Sequence, residues 1–217
     1  MISAERTPIA LFGGSFNPCH LGHLHIAAEY HTRFPKNRIF LTPCFEPPHK
    51  KMVKCISDED RLALIKILFQ NIPYVYINTF EISRPGISYT IDTIQEILRD
   101  NPQTEKIHVI IGDDLLPEIH TWKDFKGLCK TIKFICFTRK SCSEKSELPE
   151  NITVATHSPD IEYLEIPVHP ASSSRIRMLL KERTTPETPH AAQELHTMLS
   201  KAQIEYIVRN KLYIRHD

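Results

Sequence analysis

The sequence predicts an α/β fold in which a parallel sheet is covered by helices on both faces. Short apolar runs of strand length alternate along the chain with segments that repeat apolar residues at helical spacing, and this alternation is typical of parallel sheets. At 217 residues the chain fits one compact domain with a single core. We therefore expect a Rossmann-like, doubly wound sheet within a single domain over residues 1–217, with a C-terminal helical part from about residue 172.

A glycine-rich turn separates the first predicted strand from the first predicted helix. Residues 9–12 are apolar and bounded by proline and glycine, which predicts a buried strand. A helical pattern follows Gly22, and the free N–H groups and dipole of a helix start favour an anion. His20 and His23 lie one turn apart, so both imidazoles can donate to one phosphoryl group. The segment is therefore interpreted as a phosphate-binding site.

Plainer interpretations of the same segment stay open. A glycine pair after a strand is usually only a turn, and histidines three residues apart are more often surface residues than catalysts. His25 raises the alternative of a metal site, but it lies two residues from His23 and faces elsewhere on a helix. We expect these histidines to bind no metal.

The next part of the chain predicts a strand, a loop, a helix and a further strand. Residues 38–42 are apolar and end at Pro43, and the prolines that follow, up to residue 56, predict a loop. Residues 57–60 resemble a capping box, and the apolar positions behind them predict a helix to about residue 71. Residues 74–78 are rich in β-formers and predict the third strand.

The second half of the chain continues the alternation. Residues 88–99 place apolar residues at helical spacing with a polar opposite face, which predicts a helix. Residues 107–111 and 131–138 predict two more strands, and the charged residues 140–150 predict a surface loop. Helical patterns return over residues 174–181 and 191–210. Ligands of such a sheet bind at the carboxyl ends of its strands, where the glycine-rich turn falls.

Charge and cysteine content exclude several classes of protein. The 27 basic and 26 acidic residues leave a net charge of +1, so no overall field favours nucleic acid or an anionic membrane as a partner. No stretch approaches the ~20 apolar residues that cross a bilayer, and we expect a cytoplasmic protein. The six cysteines lack C-x-x-C pairs and scaffold density, which indicates free thiols. The oligomeric state is left open, a homo-oligomer included.

Six motifs in a fixed order resemble those of one known family. His20-Leu21-Gly22-His23 matches the H-x-G-H signature of a nucleotidyltransferase superfamily, and the other motifs resemble the bacterial nicotinate-nucleotide adenylyltransferases. These other motifs are PPHK at residues 47–50, SYT at 88–90, IGDD at 111–114, SSSRIR at 172–177, and the late YI and LY pairs at 206–207 and 212–213. The resemblance spans nearly the whole chain and implies a fold of the nucleotidyltransferase type.

The resemblance implies transfer of AMP from ATP to nicotinate mononucleotide, giving deamido-NAD and diphosphate. The alternatives are another adenylyltransferase of the superfamily, acting on nicotinamide mononucleotide or phosphopantetheine, and a non-catalytic nucleotide sensor. Mg²⁺ is expected as a cofactor held mainly by the ATP phosphates.

The same resemblance implies a role for individual residues. His20 and His23 would be catalytic. The residues implied to bind ATP are Gly13, Gly14, Ser15, Phe16, His20, His23, Gly112, Asp114, Ser173, Ser174 and Arg177. The residues implied to bind the mononucleotide are Cys44, Phe45, His49, Lys50, Arg84, Tyr89, Thr90 and Trp122.

Several of these positions carry a more specific expectation. Asp114 would accept a hydrogen bond from a ribose, and Trp122 would stack near the pyridine ring. Cys44 and Phe45 stand where many relatives have asparagine after the second strand, which removes one polar group from the expected carboxylate site. Backbone N–H groups of residues 44–46 are expected to compensate. Ala171 and Ser174 also depart from the family pattern but keep small or hydroxyl chemistry.

Overall fold

Six strands form one parallel sheet in the part of the chain that the structure, a computed structural model, describes: residues 8–48, 55–104, 106–139, 159–182 and 189–213. Their spatial order is β3-β2-β1-β4-β5-β6, and every neighbouring pair is parallel. The strands are β1 Ile9–Gly14, β2 Arg38–Pro43, β3 Val75–Ile77, β4 Ile107–Gly112, β5 Ile132–Arg139 and β6 Ile161–Ile166. The expected Rossmann-like, doubly wound α/β fold is confirmed.

Seven α-helices and one 3₁₀ helix connect and cover the strands within these ranges. The α-helices are α1 Leu21–Arg33, α2 Asp58–Phe69, α3 Thr90–Asp100, α4 Phe125–Thr131, α5 Ser173–Glu182, α6 Pro189–Met198 and α7 Lys201–Arg209. The 3₁₀ helix, Asp113–Thr121, follows β4 directly. None of the helices in the described part of the chain combines the length and the apolar character that a bilayer crossing requires.

Alternation along the strands gives the sheet two buried faces. Ile9 and Leu11 of β1 pack on one face with Ile94 of α3. Ala10 and Phe12 pack on the other face, where Ala27 of α1 is among their neighbours. Since both faces are covered, the strands are apolar at consecutive positions, which is why their sequences read as continuous buried runs.

The chain reverses direction in the sheet between β1 and β4. From β1 it moves outward through β2 to β3, and it then returns to lay β4 on the other side of β1. In an open parallel sheet such a switch point leaves a crevice beyond the carboxyl ends of the two central strands. The glycine-rich turn after β1 and the 3₁₀ helix after β4 border that crevice.

The last three helices build a third apolar cluster beside α2. Leu64 of α2 is buried among Ile176 of α5, Leu195 of α6 and Ile207 of α7. This packing places the start of α5 next to the glycine-rich turn.

The structure departs from the sequence-based expectations in three places. The strand β6 and the helices between β4 and β5 have no predicted counterpart. The single helix predicted over residues 191–210 is wrong, because α6 ends at Met198 and α7 begins after Ser200. The Ser200 hydroxyl accepts the Gln203 N–H at 3.2 Å, which caps the new helix. The loop predicted over 140–150 lies outside the described residues.

Candidate active site

The two histidines of the H-x-G-H motif lie side by side at the start of α1. His20 is the N-cap residue and His23 the third helical residue, and their ring centroids are 3.8 Å apart. The backbone N–H of His20 donates to Nδ1 of His23 at 3.2 Å. Because Nδ1 accepts, the neutral His23 ring carries its proton on Nε2, and that N–H is the donor available to a ligand.

Burial keeps both imidazoles uncharged in the free protein at neutral pH. It lowers the pKa of His20 to about 4, with a smaller contribution from the charge of His169. Burial also lowers the pKa of His23 well below its ordinary value, and a positive charge on His20 would lower it further. An arriving polyanion acts in the opposite direction and favours the protonated rings.

Gly22 allows the His20 ring to lie against the helix start. A side chain at this position would bring Cβ to 3.0 Å from the Nδ1 atom of His20 and to 3.5 Å from the carbonyl oxygen of Ala171. A Cβ at the third position of H-x-G-H would therefore push the His20 ring out of its place. Sequence reasoning assigned Gly22 to the helix start, and the close approach of the imidazole is an additional reason for it.

Side chains from the C-terminal helices hold the segment that precedes His20. Ser173 donates to the carbonyl of Pro18 at 2.9 Å, and Arg177 donates through Nη1 to the carbonyl of Asn17 at 2.6 Å. The Tyr213 hydroxyl donates to Oδ1 of the buried Asn17 at 2.8 Å. Ser173 and Arg177 therefore shape the motif, and the ATP-binding role expected of them remains a prediction.

Arg61 is a fully buried residue of this region that sequence reasoning missed. Its guanidinium donates to the carbonyls of Ser15 at 2.8 Å and Cys44 at 2.7 Å. It also forms an ion pair with Asp58 at 2.8 Å. Arg61 thus links the loop that follows β1 to the loop that follows β2.

A cavity of about 220 Å³ opens at the carboxyl ends of β1 and β4. Its wall includes seven of the predicted site residues: Gly13, Gly14, Ser15, Cys44, Tyr89, Thr90 and Trp122. Glu81, Ser88, Leu115, Thr121 and Lys123 also line it and were not predicted. Trp122 additionally packs edge to face on Phe134, with ring centroids 5.8 Å apart, so it has a structural role beside its place in the cavity wall.

A hydroxyl network fixes the wall of the cavity near α3. The Ser88 hydroxyl accepts the Phe45 N–H at 3.0 Å, and Thr93 donates to Glu81 at 2.5 Å. Burial raises the pKa of Glu81, which also has a side-chain hydrogen bond with Ser88. The first contact ties the loop after β2 to the segment just before α3, and the second ties the loop after β3 to α3 itself.

Two of the three backbone donors expected from residues 44–46 are engaged within the protein. The Cys44 N–H donates to the carbonyl of Gly14 at 3.0 Å, and the Phe45 N–H is taken by Ser88. Glu46 forms an isolated parallel bridge with Ile87. The expectation that the Cys44 and Phe45 N–H groups bind a ligand carboxylate is therefore corrected, and for the Glu46 N–H it remains a prediction. Burial raises the pKa of the Cys44 thiol, so this side chain enters the cavity as a neutral group.

The remaining predicted residues lie around the cavity rather than in its wall. Gly112 ends β4, and the Asp114 carboxylate folds back so closely over it that a Cβ there would collide with Oδ1. Phe16 packs against His23 with ring centroids 4.9 Å apart. Ser174 accepts a hydrogen bond from Arg177 at 3.2 Å. The roles predicted for these residues remain predictions.

One of the residues expected to bind the mononucleotide lies away from the large cavity. Arg84 is exposed and lies over the ring of Phe80, 4.7 Å from its centroid, outside the wall of the large cavity. His49 and Lys50 lie outside the described residues, although Pro47 and Pro48 line the cavity. Within the described ranges, His, Cys, Asp and Glu side chains form no cluster of three or more that could hold a metal ion.

Comparisons with known proteins agree on one family. The cytidylyltransferase-like family model matches residues 11–179. A probable nicotinate-nucleotide adenylyltransferase of Methylacidiphilum infernorum is 32% identical over 206 residues, covering 95% of this chain and 92% of that protein. One from Caldicellulosiruptor bescii is 33% identical over 211 residues, covering 95% and 99%.

Solved structures show the same fold. The nicotinic acid mononucleotide adenylyltransferase of Plasmodium falciparum, complexed with APC, matches with a TM-score of 0.73 at 18% identity, over 95% of this chain and 97% of that one. The same enzyme complexed with NaAD matches with a TM-score of 0.72 at 19% identity. At this level of identity the likeness concerns the fold.

Proposed function

Since the chain belongs to the cytidylyltransferase-like family and, within it, to the nicotinate-nucleotide adenylyltransferases, we propose that it transfers AMP from ATP to nicotinate mononucleotide. The products are deamido-NAD and diphosphate, and the reaction is a step of NAD biosynthesis. The observation that carries the proposal is the juxtaposition of the His20 and His23 pair with a cavity whose wall contains Trp122 and Tyr89.

The reaction needs positioning and charge stabilisation rather than a covalent enzyme intermediate. A phosphate oxygen of the mononucleotide forms a bond to the α-phosphorus of ATP, and the bond from that phosphorus to diphosphate breaks. The two imidazoles donate N–H groups to phosphate oxygens as negative charge accumulates. We infer that Mg²⁺ enters with the ATP phosphates, because this ion is usually held by substrate phosphates and water.

We place the pyridine ring of the mononucleotide in the large cavity. Tyr89 is the N-cap of α3 and Thr90 its first residue, and both line the cavity. The N-terminus of a helix favours an anion through its free N–H groups and its dipole. Glu81 lies in the same wall, but its carboxyl group already accepts a hydrogen bond from the Thr93 hydroxyl. The helix start is therefore the position that we assign to the ring carboxylate.

Nicotinate mononucleotide is expected to be the preferred substrate over its nicotinamide counterpart. Hydrogen bonds to a carboxylate are roughly twice as strong as those to a neutral amide, so the ratio of kcat/KM should be about tenfold or more. A diphosphate-release assay with ATP and each of nicotinate mononucleotide, nicotinamide mononucleotide and phosphopantetheine measures this ratio. Equal or greater efficiency with the nicotinamide form would reject the substrate assignment. Absence of diphosphate release with all three acceptors would reject adenylyl transfer.

Replacement of Trp122 by alanine is expected to raise KM for the mononucleotide about tenfold and to leave KM for ATP unchanged. An aromatic pair contributes about 0.5–1.5 kcal/mol beyond its area burial, and loss of the buried surface adds to this. Trp122→Phe keeps a ring and should recover most of the affinity. A thermal unfolding scan of each variant separates the loss of the Phe134 contact from the loss of substrate binding. An equal rise in both KM values would contradict the assignment.

A further inference from the structure

His169 lies in the connection between β6 and α5, just before the serine-rich start of α5. It belongs to none of the motifs that assigned the other site residues. It is half-buried, and its Nδ1 accepts the backbone N–H of Ala171 at 3.1 Å. This hydrogen bond fixes the tautomer, because a neutral ring that accepts at Nδ1 carries its proton on Nε2. His169 therefore presents an N–H donor at the end of its side chain.

The connection that carries His169 packs against the H-x-G-H motif. The carbonyl of Ala171 and the ring of His20 both approach Gly22 closely. A positive charge on His169 would lie near enough to His20 to lower the pKa of that ring. His169 is thus a neighbour of the catalytic pair, although it does not line the large cavity assigned to the mononucleotide.

A second histidine, His25, anchors this connection to α1. Its Nε2 donates to the carbonyl of Pro167 at 3.2 Å, and its Nδ1 faces Glu29 at 4.0 Å. The rings of His25 and His169 are 5.8 Å apart. Since both nitrogens of His25 face groups of the protein, His25 positions the loop. Among these contacts, none engages the Nε2–H of His169.

We propose that His169 is a third imidazole of the ATP site and donates from Nε2 to the β- or γ-phosphate, the part of ATP that leaves as diphosphate. The proposal rests on the adenylyl transfer proposed above. The segment after β1 borders the cavity and also leads to the histidines. In an in-line transfer with the α-phosphate of ATP at His20, the β- and γ-phosphates therefore extend away from the mononucleotide. The start of α5, where Ser173 and Arg177 lie, is on that route, and His169 immediately precedes it.

The test compares two variants of His169. One keeps the hydrogen-bond acceptor at the position of Nδ1, and the other keeps a donor near the position of Nε2. In His169→Asn, the side-chain oxygen can still accept the Ala171 N–H, but the distal donor is lost. In His169→Gln, an amide N–H reaches the region of Nε2. Binding of ATP and of AMP to the full chain is measured by titration calorimetry without mononucleotide, so that no transfer takes place. His196→Asn, at an exposed histidine of α6, is the matched control.

We expect His169→Asn to weaken ATP binding about tenfold or more, the effect of one hydrogen bond to a charged group. Binding of AMP, which lacks the β- and γ-phosphates, should stay at the wild-type level. His169→Gln should recover part of the ATP affinity, and the control should bind both nucleotides as the wild type does. An unchanged ATP affinity in His169→Asn, or equal losses for ATP and AMP, would overturn the proposal.

The same titrations distinguish this proposal from the proposed function. If the wild-type protein binds ATP but forms no dinucleotide, adenylyl transfer is rejected, whereas the contrast between ATP and AMP still decides the role of His169. If wild-type transfer is intact and His169→Asn shows no selective loss for ATP, only the role of His169 is rejected.

Discussion

Replacing His23 by alanine is expected to reduce turnover by roughly 10²-fold or more while the protein stays folded. The change removes the N–H donor on Nε2, and the loss of one donor to developing charge costs about this much in rate. It also removes the acceptor of the backbone N–H of His20, which is bonded at 3.2 Å. The His20 ring in addition loses the neighbouring ring whose centroid is 3.8 Å away. Steady-state diphosphate release, with substrate concentrations above both KM values, measures the effect.

The interpretation of this variant depends on two comparisons. His20→Ala should lose a similar factor, since the two rings act on the same phosphates, and the double variant should lose less than the product of the single losses. His196→Ala, at an exposed histidine of α6, should retain wild-type turnover. A folded His23→Ala protein with near-normal turnover would remove His23 from the catalytic machinery.

Replacing Arg61 by methionine is expected to lower the free energy of unfolding by about 3 kcal/mol. Methionine fills much of the volume, but the carbonyls of Ser15 and Cys44 lose their buried donor. Each unsatisfied buried group costs about 1–3 kcal/mol. The Asp58 carboxylate, which is 37% exposed, regains water and adds little. Urea unfolding should show a lower midpoint with an unchanged slope.

Lys66 on the same helix offers the matched control for Arg61. It is exposed near the end of α2, so Lys66→Met should change stability by less than about 0.5 kcal/mol. If Arg61→Met is no less stable than Lys66→Met, Arg61 does not hold the two loops. Turnover of Arg61→Met is also measured at a temperature where the variant is fully folded. This turnover shows how far the activity depends on the hydrogen bond from Arg61 to the Ser15 carbonyl.

Most of the sheet was predictable because its strands are buried on both faces. The residues of β1, β2, β4 and β5 form apolar runs bounded by prolines, glycines or polar residues. Each run is contiguous in sequence, so it can be recognised without knowledge of the fold. The edge strand β6 gave a weaker signal. Glu162 faces Lys133 at 2.7 Å and Tyr163 is 47% exposed, so the run is neither continuously apolar nor cleanly alternating.

The break between α6 and α7 has a readable signal in the sequence. Ser200 and Gln203 form a capping box in which each side chain bonds the other's backbone N–H, and an S-x-x-Q spacing is readable without a structure. The apolar periodicity on both sides of it concealed the change of direction. Periodicity identifies buried faces, but it does not reveal that one helix has stopped and another has begun.

The candidate site was predictable where chemistry is carried by short motifs, and it was not where chemistry depends on tertiary packing. The histidine pair and Trp122 were assigned from motifs. Arg61 was missed because a charged residue in an amphipathic helix is normally solvated. Its burial follows from two loop carbonyls that only the fold brings to it. The engagement of the Phe45 N–H by Ser88 is equally invisible in sequence, since 43 residues separate the two.

The contacts that shape the H-x-G-H motif span almost the whole chain. Tyr213 bonds Asn17 across 196 residues, and the fully buried Gln203 donates to the carbonyl of Cys19 across 184 residues. A ribosome delivers the amino-terminal residues first, so the motif emerges long before its partners do. A nascent chain can pair its strands while residues 17–19 still lack these hydrogen bonds. The order of synthesis therefore means that these hydrogen bonds beside the nucleotide site can form only after residues 203 and 213 have been translated.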